Sequence, residues 1–463
     1  MRALLCAAKK DLSERGAMKK ELHDVGTQKT RTVLALFAVG ALLAACSEPE
    51  FILPGERETV QSILEPESEA AENEARPISL PAQSNNANWT QSPGTPATRV
   101  SHPALSTTLT PLWTADIGQG DSRKQRINAA PVVANGLVYT LDAEARVTAT
   151  SLSGAKVWDR DLLPLRGDGG QGTGGGLAVA DGRLFVALGF GSLVALDATS
   201  GQEIWNQTLE GTASGAPTVS GGIVYLPVGD DRGWALSADT GRRLWTLFAS
   251  PDVNNAFGAP EPAVSGDLAV FAFGSGEVQA VFRRGGLRRW EASVAGVRPG
   301  TALGAVGDVT GAPMIVGNTV YVGNQSGRTV ALDLNTGARR WTANEGAIGR
   351  IVPAGGSVFI VSDLNDLIRL DASDGSTIWS VDLPRFTKDR PRKRAAVFAH
   401  HGPVLAGGAL HLASDDGFIR SFDPVSGALR GTVEIPGGAT SEPVVAGGVM
   451  YVVSTKGKLH AFR

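Results

Sequence analysis

Cysteine is nearly missing from this chain of 463 residues: Cys6 and Cys46 are the two, and none follows position 46. No disulfide can staple the rest of the chain, and no thiolate metal site can form there. Long apolar runs are missing as well. The longest, Val33 to Ala45, has 13 residues, too few to cross a bilayer as a helix. No Gly-x-Ser-x-Gly elbow and no His-Glu-x-x-His pair occurs, which removes the commonest hydrolase and metalloprotease signatures. Positive charge is not in excess. The formal net charge is −3, and residues 1–45, with eight Lys/Arg and four Asp/Glu, contribute +4, leaving −7 from Cys46 onward. A nucleic-acid surface would be basic, so nucleic acid is not an expected partner.

Glycine is abundant, at 58 residues, and the reason is a repeat. Its clearest copy is Ala312 to Trp341, APMIVGNTVYVGNQSGRTVALDLNTGARRW. Ala-Pro opens an apolar strand. A turn at Gly317-Asn318 leads to a second strand, Thr319 to Val322. The polar turn Asn324 to Gly327 leads to a third, and Asn335-Thr336-Gly337 leads to a fourth that carries Trp341. Four strands joined by tight turns form an antiparallel meander, which cannot bury both faces without copies beside it. The second-strand slot recurs at Tyr139, Phe185, Tyr225, Ala269, Tyr321, Phe359, His411 and Tyr451. The closing tryptophan recurs at Trp158, Trp205, Trp245, Trp290, Trp341 and Trp379, while the seventh unit has Gly431 there. Eight units of about 44 residues predict an all-β, eight-bladed propeller over 111–463. The last unit ends at Arg463 without its fourth strand. An orphan strand, Pro111-Leu112-Trp113-Thr114-Ala115, is expected to complete that blade and close the ring.

Residues 1–45 read as an export signal, with Met18 beginning the conventional part: Lys19, Lys20, Lys29 and Arg31, then the apolar run. It ends Leu42-Leu43-Ala44-Ala45-Cys46, which resembles the bacterial lipobox, whose cysteine is diacylated and becomes the first residue. Cys46 is therefore the expected lipidation site, and the following Ser47 favours the outer membrane. Residues 46–110 are expected to be a flexible acidic and polar tether. Glu48 to Arg76 holds nine acidic and two basic residues, too polar to fold alone.

Candidates for chemistry have structural explanations. Asp197, Asp333, Asp371 and Asp423 each precede a turn glycine by four residues, a spacing that predicts side-chain caps on turn amides. His400 and His401, adjacent on a strand, point to opposite faces and do not share a metal. His411 occupies an aromatic packing slot. The Gly-rich stretch Asp168 to Gly176 lacks the Lys-Ser/Thr of a phosphate loop. Pro384 to His401 is an insertion with Lys388, Arg390, Arg392, Lys393 and Arg394, read as a solvated loop or a contact for an acidic partner or anionic head groups.

The blade pattern, Ala-Leu-Asp…Thr-Gly…Trp at 331–341 and Ala-Leu-Asp-Ala-Thr-Ser-Gly…Trp at 195–205, resembles the pyrroloquinoline-quinone-type blade. Two families use it: quinoprotein dehydrogenases, and BamB, the lipoprotein of the outer-membrane β-barrel assembly (BAM) complex. Gly307-Asp308-Val309-Thr310-Gly311-Ala312-Pro313, Asp363-Leu364-Asn365-Asp366, Glu442-Pro443-Val444-Val445 and the lipobox are similar to BamB. That resemblance implies a non-catalytic, lipid-anchored scaffold of the outer membrane facing the periplasm. It would dock on the POTRA domains of BamA, meet other BAM subunits and unfolded outer-membrane proteins, and need no cofactor, metal or catalytic residue. Carried over by position, the docking residues are Leu247, Phe248, Asp308 and Thr310. The family's Arg near Phe248 and second Asp near Thr310 are missing, which implies a more apolar or displaced interface. The alternative, a quinone-dependent dehydrogenase, implies adjacent cysteines and a Ca²⁺ beside a catalytic Asp. A third reading is a propeller that binds cell-wall glycans.

Overall fold

A computed structural model describes residues 73–164, 175–229, 231–251, 259–294, 296, 298, 307–388 and 390–463. The signal, Cys46 and most of the Gly-rich stretch lie outside the described residues. Pro111 onward forms eight four-stranded antiparallel sheets. Blades 1 to 7 each use four consecutive strands, beginning with Val132–Ala134, Gly175–Ala180, Thr218–Ser220, Ala263–Ser265, Val309–Val316, Val352–Ala354 and His400–Ala406. Blade 8 takes Val444–Ala446, Val449–Ser454 and Lys458–Phe462, and then Pro111–Asp116, which pairs antiparallel with Lys458–Phe462. The ring therefore closes as the orphan strand implied. First strands of neighbouring blades touch one another around the centre.

The tryptophans show how one blade holds the next. In each outer strand a β-bulge falls immediately before the tryptophan. Trp158 is paired with Ala149 and Lys156 with Thr150, so Val157 is the extra residue. The bulge re-aims the indole across the gap between blades and leaves Val157 exposed. Trp158 donates from Nε1 to the carbonyl of Ala198 in blade 2, at 3.2 Å. The same bond recurs for Trp205 to Ala238, Trp245 to Arg283, Trp290 to Leu334, Trp341 to Ala372, Trp379 to Pro424 and, across the closure, Trp113 to Leu152. Each ring also lies flat on the left-handed turn glycine of that next blade, as Trp158 does on Gly201 (φ 70°). The turn aspartates cap the same turns as predicted: Asp197 accepts from the amides of Thr199 and Ser200.

Blade 7 alone has no tryptophan, and the geometry gives the reason. Its fourth strand would dock on the last turn of blade 8. In blade 8 the third and fourth strands are not joined by a turn, and Arg463 and Thr110 meet there instead, their backbones bonded to each other at 2.7 and 2.8 Å. Gly431 stands where no receiving turn exists.

One slot was misread. In blade 4 the residue level with Trp290 is Val270, through Ala280, so Ala269 lies one position off. The blade lacks the aromatic that marks this slot elsewhere, and a two-residue period gives no phase without such a marker. Phe271 restores aromatic packing from the next inward position, edge-on to Tyr225 and Trp245 of blade 3.

The second half of the expected tether also differs. Residues 73–110 pack against the propeller. Trp89 is fully buried, and its backbone exchanges two hydrogen bonds with Val133, in the first strand of blade 1. Successive residues then satisfy the matching amides of other first strands. Thr90 accepts from Val179, Pro96 from Val264 and Ala97 from Ile315. The Gln91 side-chain amide acts like a strand, accepting from the Val219 amide and donating to its carbonyl. Blade 6 has Pro353 at this level, which offers no amide. A stretch poor in apolar residues does not fold alone, but the inner edges of blades 1 to 5 give it partners that no local pattern reveals.

Candidate functional site

Two places collect unusual side chains: the central channel and the rim of blade 3. In the channel, Glu261 and Glu442 occupy the same position in blades half a ring apart, each just before the proline that opens a first strand. Both are nearly buried. Arg350, from the loop entering blade 6, reaches both: it pairs with Glu261 and, at 2.6 Å, with Glu442. Its third nitrogen, Nη2, donates to the Ser92 hydroxyl. Arg99 from the N-terminal segment makes a second ion pair with Glu442. Burial favours the neutral acid, but the two guanidiniums win and hold the Glu442 carboxyl down at about 2. Two arginines and two glutamates thus cross the channel as a neutral lattice. The cavity beside it, lined by Ser92, Gly215, Glu261, Thr310, Ile348 and Arg350, has a volume of about 210 Å³, small against the ~300 Å³ at which ordinary small-molecule sites begin. Among the described residues no group of three His, Cys, Asp or Glu side chains is placed to hold a metal ion. Among the described residues, Glu261 and Glu442 are already engaged by arginine and do not offer the oxygen cage that Ca²⁺ needs.

The four docking candidates separate. Phe248 ends the outer strand Arg243–Phe248 of blade 3 and is 67% exposed. Leu247, its neighbour, points inward beside Tyr225 and Phe271, as alternation along a strand requires. Asp308 has no accessible surface at all. It precedes the inner strand Val309–Val316, and its carbonyl accepts from the Gln325 amide at 3.2 Å. Thr310 is half-buried, and its hydroxyl donates to the Ala347 carbonyl at 2.7 Å. Asp308 and Leu247 therefore do not offer a partner their side chains. The sequence spacing placed Asp308 in a loop before a strand, where a solvated acid is usual, but that loop enters at the ring's centre. Sequence reasoning missed Arg350, Glu261 and Arg99, which lie far apart in the chain. The repeated Glu-Pro before two first strands was the signal available.

The histidines are packing residues. His411 is buried and bonded to the Ser421 hydroxyl and the Ala406 carbonyl, and burial pushes it down to about 4. His400 sits between the Ser414 hydroxyl and the Pro384 carbonyl.

A family model described as "Outer membrane protein assembly factor BamB" matches residues 143–381. The protein of that name from Shewanella oneidensis is 25% identical over 77% of this chain and 90% of its own length. Among solved structures, BamB from Moraxella catarrhalis superposes with a TM-score of 0.62 at 17% identity, covering 77% of this chain and 98% of that one. A quinohemoprotein alcohol dehydrogenase from Comamonas testosteroni has a TM-score of 0.64 at 16% identity, covering 82% and 81%. At such identities both structures show the fold alone.

Proposed function

Because the chain belongs to the outer membrane protein assembly factor BamB family, we propose that it acts as a non-catalytic scaffold in outer-membrane protein assembly. In this reading it is lipid-anchored at Cys46, faces the periplasm, and docks on POTRA domains of a BamA-like barrel protein. The observation that supports it best is Phe248: a large apolar side chain, 67% exposed, at the rim of blade 3, where the family docks. An aromatic held on a regular strand is pre-ordered and loses little entropy on binding, the property of an anchor residue. Leu244, the bulged residue of the same strand, is 51% exposed and extends the apolar rim. Leu247 contributes by packing with Tyr225 and Phe271 and so holding the strand that presents Phe248, and Asp308 and Thr310 by fixing the loops at the channel mouth.

The test is affinity capture from detergent-solubilised membranes with the wild type and Phe248→Glu. Recovery of a POTRA-containing barrel protein by the wild type, reduced at least about tenfold in the variant, supports both role and surface. Equal recovery moves the surface elsewhere. No recovery by either removes the assembly reading.

A further inference from the structure

The insertion between blades 6 and 7 is folded, not loose. Phe386 pairs antiparallel with Val397, Thr387 donates its amide to the Ala396 carbonyl, and Phe398 donates to Arg385. These bonds make a hairpin whose tip is a single helical turn, Pro391–Lys393. Arg385, Lys388, Arg390, Arg392, Lys393 and Arg394 fall within ten residues against one acid, Asp389, a net of +5 on a chain whose total is −3. All six cations are exposed. Apolar groups lie among them. Val397 is 54% exposed, and the half-buried ring of Phe386 lies 4.9 Å from the Arg394 guanidinium and 5.3 Å from that of Arg385.

The N-terminal segment enters the propeller beside this hairpin. Asn73 and Ser380 exchange two hydrogen bonds at 2.9 and 2.8 Å, and the Glu74 amide donates to Ile378. Residues 73–76 thus line the outer strand of blade 6, Thr377–Asp382, and read backward they climb it toward the hairpin root at Pro384. Only about 13 Å of strand separates Ser380 from that root. Whatever anchors the chain upstream of residue 73 therefore pulls on the propeller at this corner.

We propose that the hairpin 384–398 is a second membrane-attachment site, which binds the surface of an anionic bilayer. The proposal rests on the lipid-anchor reading for its geometry. A diacylated cysteine already holds the chain at the membrane, and a polybasic patch beside its point of entry adds an electrostatic contact that fixes which side of the propeller faces the anionic head groups. A preformed loop carrying cations with an aromatic and an aliphatic group between them suits the bilayer interface, where charge meets head groups and apolar side chains meet the acyl boundary. Bound there, the disc would stand with blade 6 toward the membrane and the blade 3 rim away from it.

The test uses the full mature chain with Cys46→Ser, so that binding cannot come from an acyl anchor. Co-sedimentation is measured with vesicles of 30% phosphatidylglycerol in phosphatidylethanolamine, and with vesicles lacking the anionic lipid. The expected result is binding to the anionic vesicles alone, lost as NaCl rises from 20 to 500 mM, and weakened about tenfold or more by Arg390→Gln/Arg392→Gln/Lys393→Gln/Arg394→Gln. An unchanged unfolding midpoint checks that this exposed variant folds. Binding that persists in the variant overturns the proposal. So does failure of the parent chain to bind anionic vesicles, as would follow if the glutamates of 48–72 occupied the cations instead. Capture of a barrel protein with Phe248 is measured separately, so either reading can fail without the other.

Discussion

The indole of Trp205 lies flat on Gly241 of the next blade, so close that a β-carbon there would stand 2.7 Å from its Cε3. Gly241 has a φ of 70°, which other residues adopt at a cost of about 1–2 kcal/mol. Gly241→Ala combines that strain with overpacking and should destabilise by about 2–4 kcal/mol in denaturant unfolding. Gly431→Ala, with open space around its β-carbon, should change stability by less than about 1 kcal/mol.

Removing one member of the channel lattice leaves buried charge uncompensated. Glu442→Gln should cost about 3–5 kcal/mol at pH 7. The pH dependence has a definite sign. The carboxyl is held at about 2 in the folded chain, against 4.5 unperturbed. Its contribution is therefore present above pH 4.5 and lost as pH falls toward 2. Acid unfolding curves should show that loss in the wild type and lack it in Glu442→Gln.

Asp366 has the opposite sign. Burial and the facing carboxylate of Asp382 push it up to about 6. The folded state resists ionising it, so stability falls as pH rises from about 4 to 6 and stays lower above. Asp366→Asn should stabilise at pH 7 by roughly 1–2 kcal/mol, after discounting for partial exposure, and by little at pH 4. Equal stabilisation at both pH values would locate the effect elsewhere.

The N-terminal segment is a structural part of the propeller. Trp89→Ala should destabilise by about 3–5 kcal/mol, as for a fully buried tryptophan. Thermal unfolding of this variant against the wild type checks it. A true tether would tolerate the change without effect.

Asp308→Ala should lower stability measurably in denaturant while leaving barrel-protein capture by the folded fraction unchanged, since its side chain has no accessible surface. Phe248→Ala should do the reverse, losing capture at little cost in stability.

The sequence alone carried the number of blades, the closure by the strand 111–115 and the structural role of the turn aspartates. A repeat writes the same local physics many times, so a two-residue period, a turn glycine and an inter-blade tryptophan can be checked against their copies. It also carried Gly431 as an exception, without its reason. That reason is tertiary: the neighbour of Gly431 is the junction where Arg463 meets Thr110. The phase of blade 4 failed where its aromatic marker is missing. The linker reading of 73–110 failed because its partners are first-strand amides spread over some 180 residues of sequence. Burial of Asp308 and the Arg350 lattice were equally illegible. Closing the ring brings Ser92, Arg99, Glu261, Arg350 and Glu442 together, and only closure decides which loops meet at the centre and which face outward.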